Sequence, residues 1–487
     1  MSTLGLLLLF GTAVGIVGTG LPAYLVLLMA STLGAVAIAV TGAVPLALLT
    51  ALPGRLINLF ENDLLQALPL YVLMGVLLDR LPVGENIFRV FLAVLPQRPF
   101  APLLAGIGMG AVLGPMNGSV GASVVALSRS LGPRLAEAHI PPPTRHALVA
   151  VASTIGVLVP PSLVLILLGD AMLTAHTIAL DATHSNARAM NTQDLFRGAV
   201  LPAALFVCMC LFVAWNTGRS LAQNVSVARI ERPSFAEAAT AIAVLLLLIG
   251  LLGGVAVGYF YAVEAAAAGA VALLLSGILS GRLRLASLHS VLGEVLAATG
   301  ALFAPLVAAT TFTLLLRILG TDRLVDGFVS TIPGGPTSAV CVVLGILGIS
   351  ALALDAFEIV FVVVPILIPP LLQRAPDAVW VGVLVLLALQ ASFLLPPFGY
   401  ALMMTRGRLK DDVSLTDLTR ALVPFLLAQF LVLMAVVLFP SLVHVTEGHD
   451  STSRSNLLSK SDVERNMRNM LKPPRDLPLG PSFGAPK

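Results

Sequence analysis

The chain has 487 residues, of which 57% are hydrophobic and only 11% charged, with a formal net charge of +3. Soluble domains carry about 25% charged residues, and this much apolar surface cannot be buried in a soluble core that still keeps a polar skin. The composition therefore excludes a soluble globular protein, and so small a net charge gives no reason to expect a nucleic-acid partner.

Taken in chain order, Met1–Gly18 is apolar, without a basic leading segment or a small-x-small cleavage site, and reads as a first span rather than a secretion signal. Further apolar runs of about 20 residues follow, the length that a span requires. The segment Ala101–Leu131 differs. It is broken at Gly114-Pro-Met-Asn-Gly118, leaving about 13 residues on each side. As helix these rise roughly 20 Å at 1.5 Å per residue, too little for a hydrocarbon core of about 30 Å. Basic stretches flank it on both sides, Arg80, Arg89 and Arg98 before and Arg129, Arg134 and Arg145 after. Basic loops stay cytoplasmic, so the segment must return to the side it left, and a re-entrant hairpin is expected. Pro160-Pro161-Ser162 interrupts the helix that follows. Arg219, Arg229 and Arg232 then lie in a polar joining stretch where Ile230 and Phe235 alternate with Arg and Glu, as in an amphipathic connector. Glu264, in Tyr261-Ala-Val-Glu, stands at a span start, where it reads either as a coupling carboxylate or as a helix cap or dipole partner. A second short-armed segment, Thr337–Leu372, is broken near Ser350–Asp355, and Leu395-Pro-Pro-Phe-Gly399 interrupts the next helix. The last basic group is Arg406, Arg408, Lys410 and Arg420, and the tail Glu447–Lys487 is polar and expected to be disordered.

The chain also repeats itself. Pro69 recurs as Pro305 and Pro160-Pro161 as Pro396-Pro397, at the same shift of 236 (305 − 69), while Asp194-Leu-Phe-Arg197 recurs as Asp417-Leu-Thr-Arg420. The organisation predicted is a first half over 1–216 with its hairpin at 101–131, a cytoplasmic connector at 217–236, a second half over 237–446 with its hairpin at 337–372, and a tail at 447–487. Five spans per half is an odd number, so the second half enters the membrane inverted and its hairpin enters from outside. Inverted repeats of this kind place transport sites near the midplane. The fold class is all-α and polytopic.

Irregular backbone at membrane depth is tolerated only where it is buried in protein or lines a cavity, so the two breaks are the candidate sites. Asn117, Gly118 and Ser119 offer bent carbonyls, an amide and a hydroxyl, and Pro160, Pro161 and Ser162 face them from the next helix. Hard cations take oxygen ligands, and proline frees carbonyls of the preceding turn. Pro396, Pro397 and Gly399 repeat the arrangement in the second half, with Asp355 as an intramembrane carboxylate, a functional hypothesis by default. Asn117, Ser119, Ser123, Glu358 and Phe398 are candidates for touching substrate. No metal centre or cofactor is expected. Cys208, Cys210 and Cys341 lie in apolar runs with neither disulfide nor zinc spacing. The histidines fall at span ends or in loops, and neither H-E-x-x-H nor Gly-x-Ser-x-Gly occurs, so an enzyme is not expected.

These landmarks resemble one family. Leu68-Pro-Leu-Tyr-Val-Leu-Met-Gly75, Asn117-Gly-Ser119, Gly156-Val-Leu-Val-Pro-Pro-Ser162, Gly198-Ala-Val-Leu-Pro202, Glu264-Ala-Ala266, Asp355, Pro365-Ile-Leu-Ile-Pro369, Asp377-Ala-Val-Trp-Val-Gly382 and Pro396-Pro-Phe-Gly399 occur in order. Over roughly residues 1–446 the chain is similar to the large transmembrane subunit, DctM type, of tripartite ATP-independent periplasmic (TRAP) transporters. It departs where the family often has Thr-Pro-Thr before the Glu, here Tyr261-Ala-Val, and Thr before the second Pro-Pro, here Leu395. That loss leaves backbone carbonyls in place of a side-chain ligand. Ser392-Phe-Leu-Leu-Pro-Pro-Phe-Gly399 is similar to the mannitol/chloroaromatic subgroup, which includes carriers of keto and hydroxy acids. The resemblance implies sodium-coupled uptake of an organic anion, with Na+ as the coupling ion, by an elevator motion in the bacterial inner membrane. It also implies a periplasmic binding protein of DctP type and a small membrane subunit of DctQ type. Other readings are a symporter with paired hairpins that needs no binding protein, a passive channel and an intramembrane enzyme.

Overall fold

The computed structural model describes residues 2–41, 50–96, 98–117, 119–221, 233–351, 354, 356–397, 399–409 and 411–445. Gly118, Asp355 and Phe398 lie outside the described residues, as do 222–232 of the joining stretch and the tail 447–487. Residues 1–443 form one compact unit, and of residues 444–487 only His444 and Val445 are described.

All regular structure among the described residues is helical. The chain opens with α1 (Ser2–Thr19), α2 (Ala23–Thr41), α3 (Ala51–Glu61) and α4 (Asp63–Arg80). At Leu81-Pro82 it bends by 67° into α5 (Val83–Val94). This helix is amphipathic, burying Val83, Ile87 and Phe88 with Glu85 and Arg89 on its polar side. Next come α6 (Phe100–Leu113), a 3-10 turn over Gly114–Asn117 and α7 (Val120–Glu137). The proline-broken pair is α8 (Pro142–Leu158) and α9 (Leu163–Thr183), and α10 (Thr192–Leu221) completes the first half.

The second half begins with α11 (Phe235–Val257), α12 (Ala262–Leu279) and the long α13 (Leu285–Ile318). Gly320, at φ +73°, turns the chain into α14 (Thr321–Thr331), a second short amphipathic helix. Then follow α15 (Pro336–Ser350), the single turn α16 (Ala356–Glu358), a π turn over Ile359–Val363 and α17 (Val364–Arg374). A second broken pair, α18 (Ala378–Ser392) and α19 (Tyr400–Arg408), leads to α20 (Leu415–Leu438) and the short α21 (Ser441–His444).

Local chemistry sets many of these boundaries. Ser119 and Ser162 accept hydrogen bonds from Ala122 N and Leu165 N, each at 3.1 Å, and so cap α7 and α9. Glu237 and Ser234 form a capping box at α11. The Glu264 carboxylate accepts from Tyr261 N at 3.0 Å, which agrees with its reading as a cap.

Among the described residues, nine helical segments are long and apolar enough to cross a membrane, or ten if the bent α4–α5 pair is one span. The α8–α9 stretch is 94% buried, whereas α2 and α11 are 28% buried. The broken pair therefore forms the centre, and the outer helices turn Leu, Val and Phe side chains outward, as lipid requires. At the centre α8 packs on α6 and α7, while α9 packs on α17. In the second half α18 packs on α15, and α19 packs back on α7 and α8. The crossing of α6 and α8 depends on Gly114 and Gly156, because a Cβ on either would overlap the backbone of the other. Around this centre α4 packs on α12 and α13, α5 on α11 and α6, and α14 on α17.

Candidate functional site

The first break is a cluster of small polar groups in an apolar core. Asn117 is 4% exposed and Ser123 is 1% exposed. The Asn117 amide donates to Ser123 Oγ at 3.3 Å, and that hydroxyl donates to Gly114 O at 3.4 Å. Across from them Ser162 Oγ donates to Val157 O at 2.6 Å, and Pro160 and Pro161 are buried. Between the 3-10 turn and the break lies a cavity of about 10 Å³, lined by Gly114, Ser119, Ser123, Ser153, Gly156 and Ser162 with their neighbours. That is the space of one water-sized particle. No charged side chain lines it.

The second break is more open. Pro396 is half-buried, Pro397 and Leu395 are exposed, and Gly399 is buried, its N–H donating to Leu395 O at 2.8 Å. Both the Pro160-Pro161 and the Pro396-Pro397 peptide bonds are cis. Glu358 is buried at 5% exposure beside Phe357.

A second cavity, of about 520 Å³, adjoins the first break, and Ser119, Val120 and Val164 line both. Its walls come from α4, α7, α13 and α19, with Asn117, Phe357, Phe393 and Tyr400 around it. Four charged groups reach it. Asp79 and Arg129 pair at 2.5 Å. Glu294 pairs with Arg80 at 2.7 Å. Arg408 lines the cavity and meets no carboxylate among the described residues. Because Arg80, which pairs with Glu294, is not itself part of the lining, the wall's own charges balance, and Arg408 is the guanidinium left without a carboxylate partner among the described residues.

Of the residues expected from the sequence to form sites, Asn117, Ser119, Ser123, Pro160, Pro161 and Ser162 come together at the first break. Pro396, Pro397 and Gly399 form the second. Glu358 does not line the large cavity. Three features had no prior expectation. Arg408 and Tyr400 reach the cavity from α19, and the Asp79–Arg129 pair bridges α4 and α7. In addition, Gln390 Nε2 donates to Thr154 Oγ1 at 3.2 Å, joining the two broken helices six residues ahead of each Pro-Pro. These two positions differ by 236, the shift of the repeat, and that coincidence was the one available signal.

Comparison with known proteins agrees with this architecture. Residues 10–442 match the family described as tripartite ATP-independent periplasmic transporter, DctM component. Among curated proteins the chain is 25% identical over 394 residues to the sialic acid TRAP transporter permease protein SiaT of Haemophilus influenzae, covering 80% of this chain and 60% of that protein. The chain thus spans 60% of the length of that relative, a little under two thirds. It is 23% identical to the C4-dicarboxylate TRAP transporter large permease protein DctM of Rhodobacter capsulatus, over 80% of this chain and 88% of that one. It is also 23% identical to the ectoine/5-hydroxyectoine TRAP transporter large permease protein UehC of Ruegeria pomeroyi, over 77% and 84%. Among solved structures the YdaH transporter of Alcanivorax borkumensis, described as having an unusual topology, aligns with a TM-score of 0.58 at 14% identity, over 81% of this chain and 88% of that one. The likeness to YdaH concerns the fold alone.

Proposed function

The chain belongs to the DctM component family of tripartite ATP-independent periplasmic transporters, and we propose on that footing that it moves an organic anion across the bilayer together with sodium. It is a multi-pass membrane protein and the large permease subunit of such a system, a transport protein and not an enzyme. A periplasmic binding protein of DctP type would deliver the anion, and a small membrane subunit of DctQ type would brace the permease in the bacterial inner membrane.

The observation that carries the sodium reading is the small cavity at the first break. Its lining offers serine hydroxyls and freed carbonyls and no carboxylate. Oxygen ligands suit a hard cation, and the lack of a carboxylate suits one of single charge. Asn117, Gly118, Ser119, Pro160, Pro161 and Ser162 contribute the first site, and Asp355, Pro396, Pro397 and Gly399 contribute the second. The adjoining large cavity takes the anion, a dicarboxylate, keto acid or hydroxy acid. Arg408 supplies the positive charge, and Asn117, Ser119 and Tyr400 supply polar contacts. The two halves act as inverted repeats, for which the Thr154–Gln390 bond at the repeat shift is support. The amphipathic α5 and α14 act as arms on which both hairpins and both broken helices travel as one body.

The test is uptake into proteoliposomes with the binding protein and small subunit present and an imposed sodium gradient. Ser123→Ala and Ser162→Ala each remove one oxygen ligand, so the sodium concentration for half-maximal uptake rises about tenfold, the equivalent of 1.4 kcal/mol. Ser162→Ala also loses a helix cap, at about 1 kcal/mol. Unchanged sodium dependence in both variants rejects the site. Uptake that persists without the binding protein identifies an independent symporter instead, and a leak that needs no gradient identifies a channel.

A further inference from the structure

A second large recess lies away from the transport cavity. It is an apolar groove of about 680 Å³ walled by Phe91 and Val94 of α5, Leu104 of α6, Phe212 and Trp215 of α10 and Leu245 of α11. Apart from the indole N–H of Trp215, every side chain lining it is apolar. Val94 is 82% and Phe212 53% exposed, so the groove opens outward.

One end of the groove is cationic. The Arg219 guanidinium lies 4.3 Å over the Trp215 ring. Gly218, the preceding residue, abuts the backbone of Phe100, which brings Arg98 to the same corner. Among the described residues, neither arginine meets a carboxylate. The nearest acidic group on α11, Glu237, already serves Ser234 N and Oγ, both at 3.0 Å, and Arg89 at 3.7 Å. Arg98 and Arg219 both fall in stretches whose basic bias assigns them to the cytoplasm.

The depth of the groove is that of a single leaflet. Leu245 stands ten residues into α11 from Phe235, or roughly 15 Å along the helix, half of a hydrocarbon core of about 30 Å. The groove thus combines an apolar channel one leaflet deep, a tryptophan at its mouth and two guanidinium groups that meet no carboxylate among the described residues. We propose that this groove seats one anionic phospholipid of the cytoplasmic leaflet, its acyl chain along Phe91, Leu104 and Phe212 and its phosphate between Arg98 and Arg219. Basic pockets between spans on the cytoplasmic side are suited to such headgroups. A helix of another protein would cover the same walls but would bring no phosphate to the arginines, and the charge separates the two occupants. The seat lies where α5, α6, α10 and α11 meet, so its lipid would wedge an arm helix against a hairpin helix.

Tryptophan fluorescence tests this directly. The other tryptophan, Trp380, is buried and its indole donates to Val436 O at 2.8 Å, so Trp380→Phe leaves Trp215 as the sole reporter. The full chain is reconstituted in phosphatidylcholine bilayers that contain graded fractions of acyl-brominated phosphatidylglycerol or, in parallel, acyl-brominated phosphatidylcholine. The seat predicts that the brominated phosphatidylglycerol quenches Trp215 at about one fifth of the mole fraction needed by the phosphatidylcholine, the order of preference expected from basic residues at a lipid surface. The double variant Arg98→Gln, Arg219→Gln brings the two curves together. Arg219→Gln also unstacks the indole, so quenching is normalised to each variant's own unquenched intensity, and lipid retained through purification is measured in parallel by mass spectrometry. Equal quenching by the two lipids in the unaltered arginine background overturns the proposal in favour of ordinary surrounding lipid. Absence of quenching by either overturns it in favour of a protein occupant.

Discussion

Arg408 sets the electrostatic character of the large cavity. Asp79 and Glu294 are each neutralised by an arginine, at 2.5 and 2.7 Å, so the remaining guanidinium is what an incoming carboxylate would meet. Removing one side of a charged hydrogen bond costs about 1.5–3 kcal/mol. Arg408→Gln should therefore raise the apparent KM for the anion roughly tenfold or more with the maximal rate little changed, as measured by initial uptake rates, and Arg408→Lys should recover part of the loss. The sequence revealed Arg408 only as a marker of topology. What places it in the cavity is packing of α19 against α7 and α8, a contact between segments far apart in the chain. Residues governed by near neighbours were legible beforehand. Glu264 is one, and it caps α12, because a cap is a hydrogen bond over three residues and its chemistry is written locally; the sequence offered Ser119 and Ser162 only as oxygen ligands, and it is the structure that shows them capping α7 and α9.

At the scale of elements, the crossing of α6 and α8 is the tightest constraint on the first site. The small cavity exists because Gly114 and Gly156 let the two backbones meet beneath it. Gly156→Ala puts a methyl group into the backbone of the facing turn. It should cost about 1–3 kcal/mol as an overpacked contact and lower the Tm in detergent by several degrees. Gly250→Ala, on α11 with open space around it, should leave the Tm unchanged. The breaks themselves were readable from Gly-Pro and Pro-Pro dipeptides, which are strong local punctuation. The π turn at Ile359–Val363 was not, and neither was the grip of Arg374 on the end of α14. Arg374 donates to Val329 O, Ile332 O and Gly334 O at 2.7, 2.8 and 2.9 Å. A basic residue aimed at three carbonyls from another element leaves no pattern along the chain.

At the scale of the whole molecule, the basic stretches assigned to the cytoplasm by their composition come together at one end. Asp79–Arg129, Glu85–Arg134, Arg145–Asp411 and Arg80–Glu294 all pair there, and the large cavity shares the first and last of these pairs. The cavity should accordingly face the cytoplasm. With Cys208, Cys210 and Cys341 replaced by alanine, Ala122→Cys on the cavity wall should react with a membrane-impermeant maleimide at least about tenfold faster in inside-out than in right-side-out vesicles. The reverse preference would overturn that orientation. Composition and hydropathy revealed the membrane class and the helical architecture, since a bilayer admits few solutions. The pairing of distant helices around a shared space was not visible, because most of the long spanning helices are apolar nearly all round and carry no face that names a neighbour. One consequence follows from the way α19 reaches back to α7 and α8. Asn117 and Arg129, which line the large cavity, precede the joining stretch, whereas Tyr400 and Arg408, which also line it, follow it. If the gene were severed there and the pieces made as separate polypeptides, each would keep its own interrupted helix, yet neither alone would own a vestibule. Only their reassociation in one bilayer could restore passage.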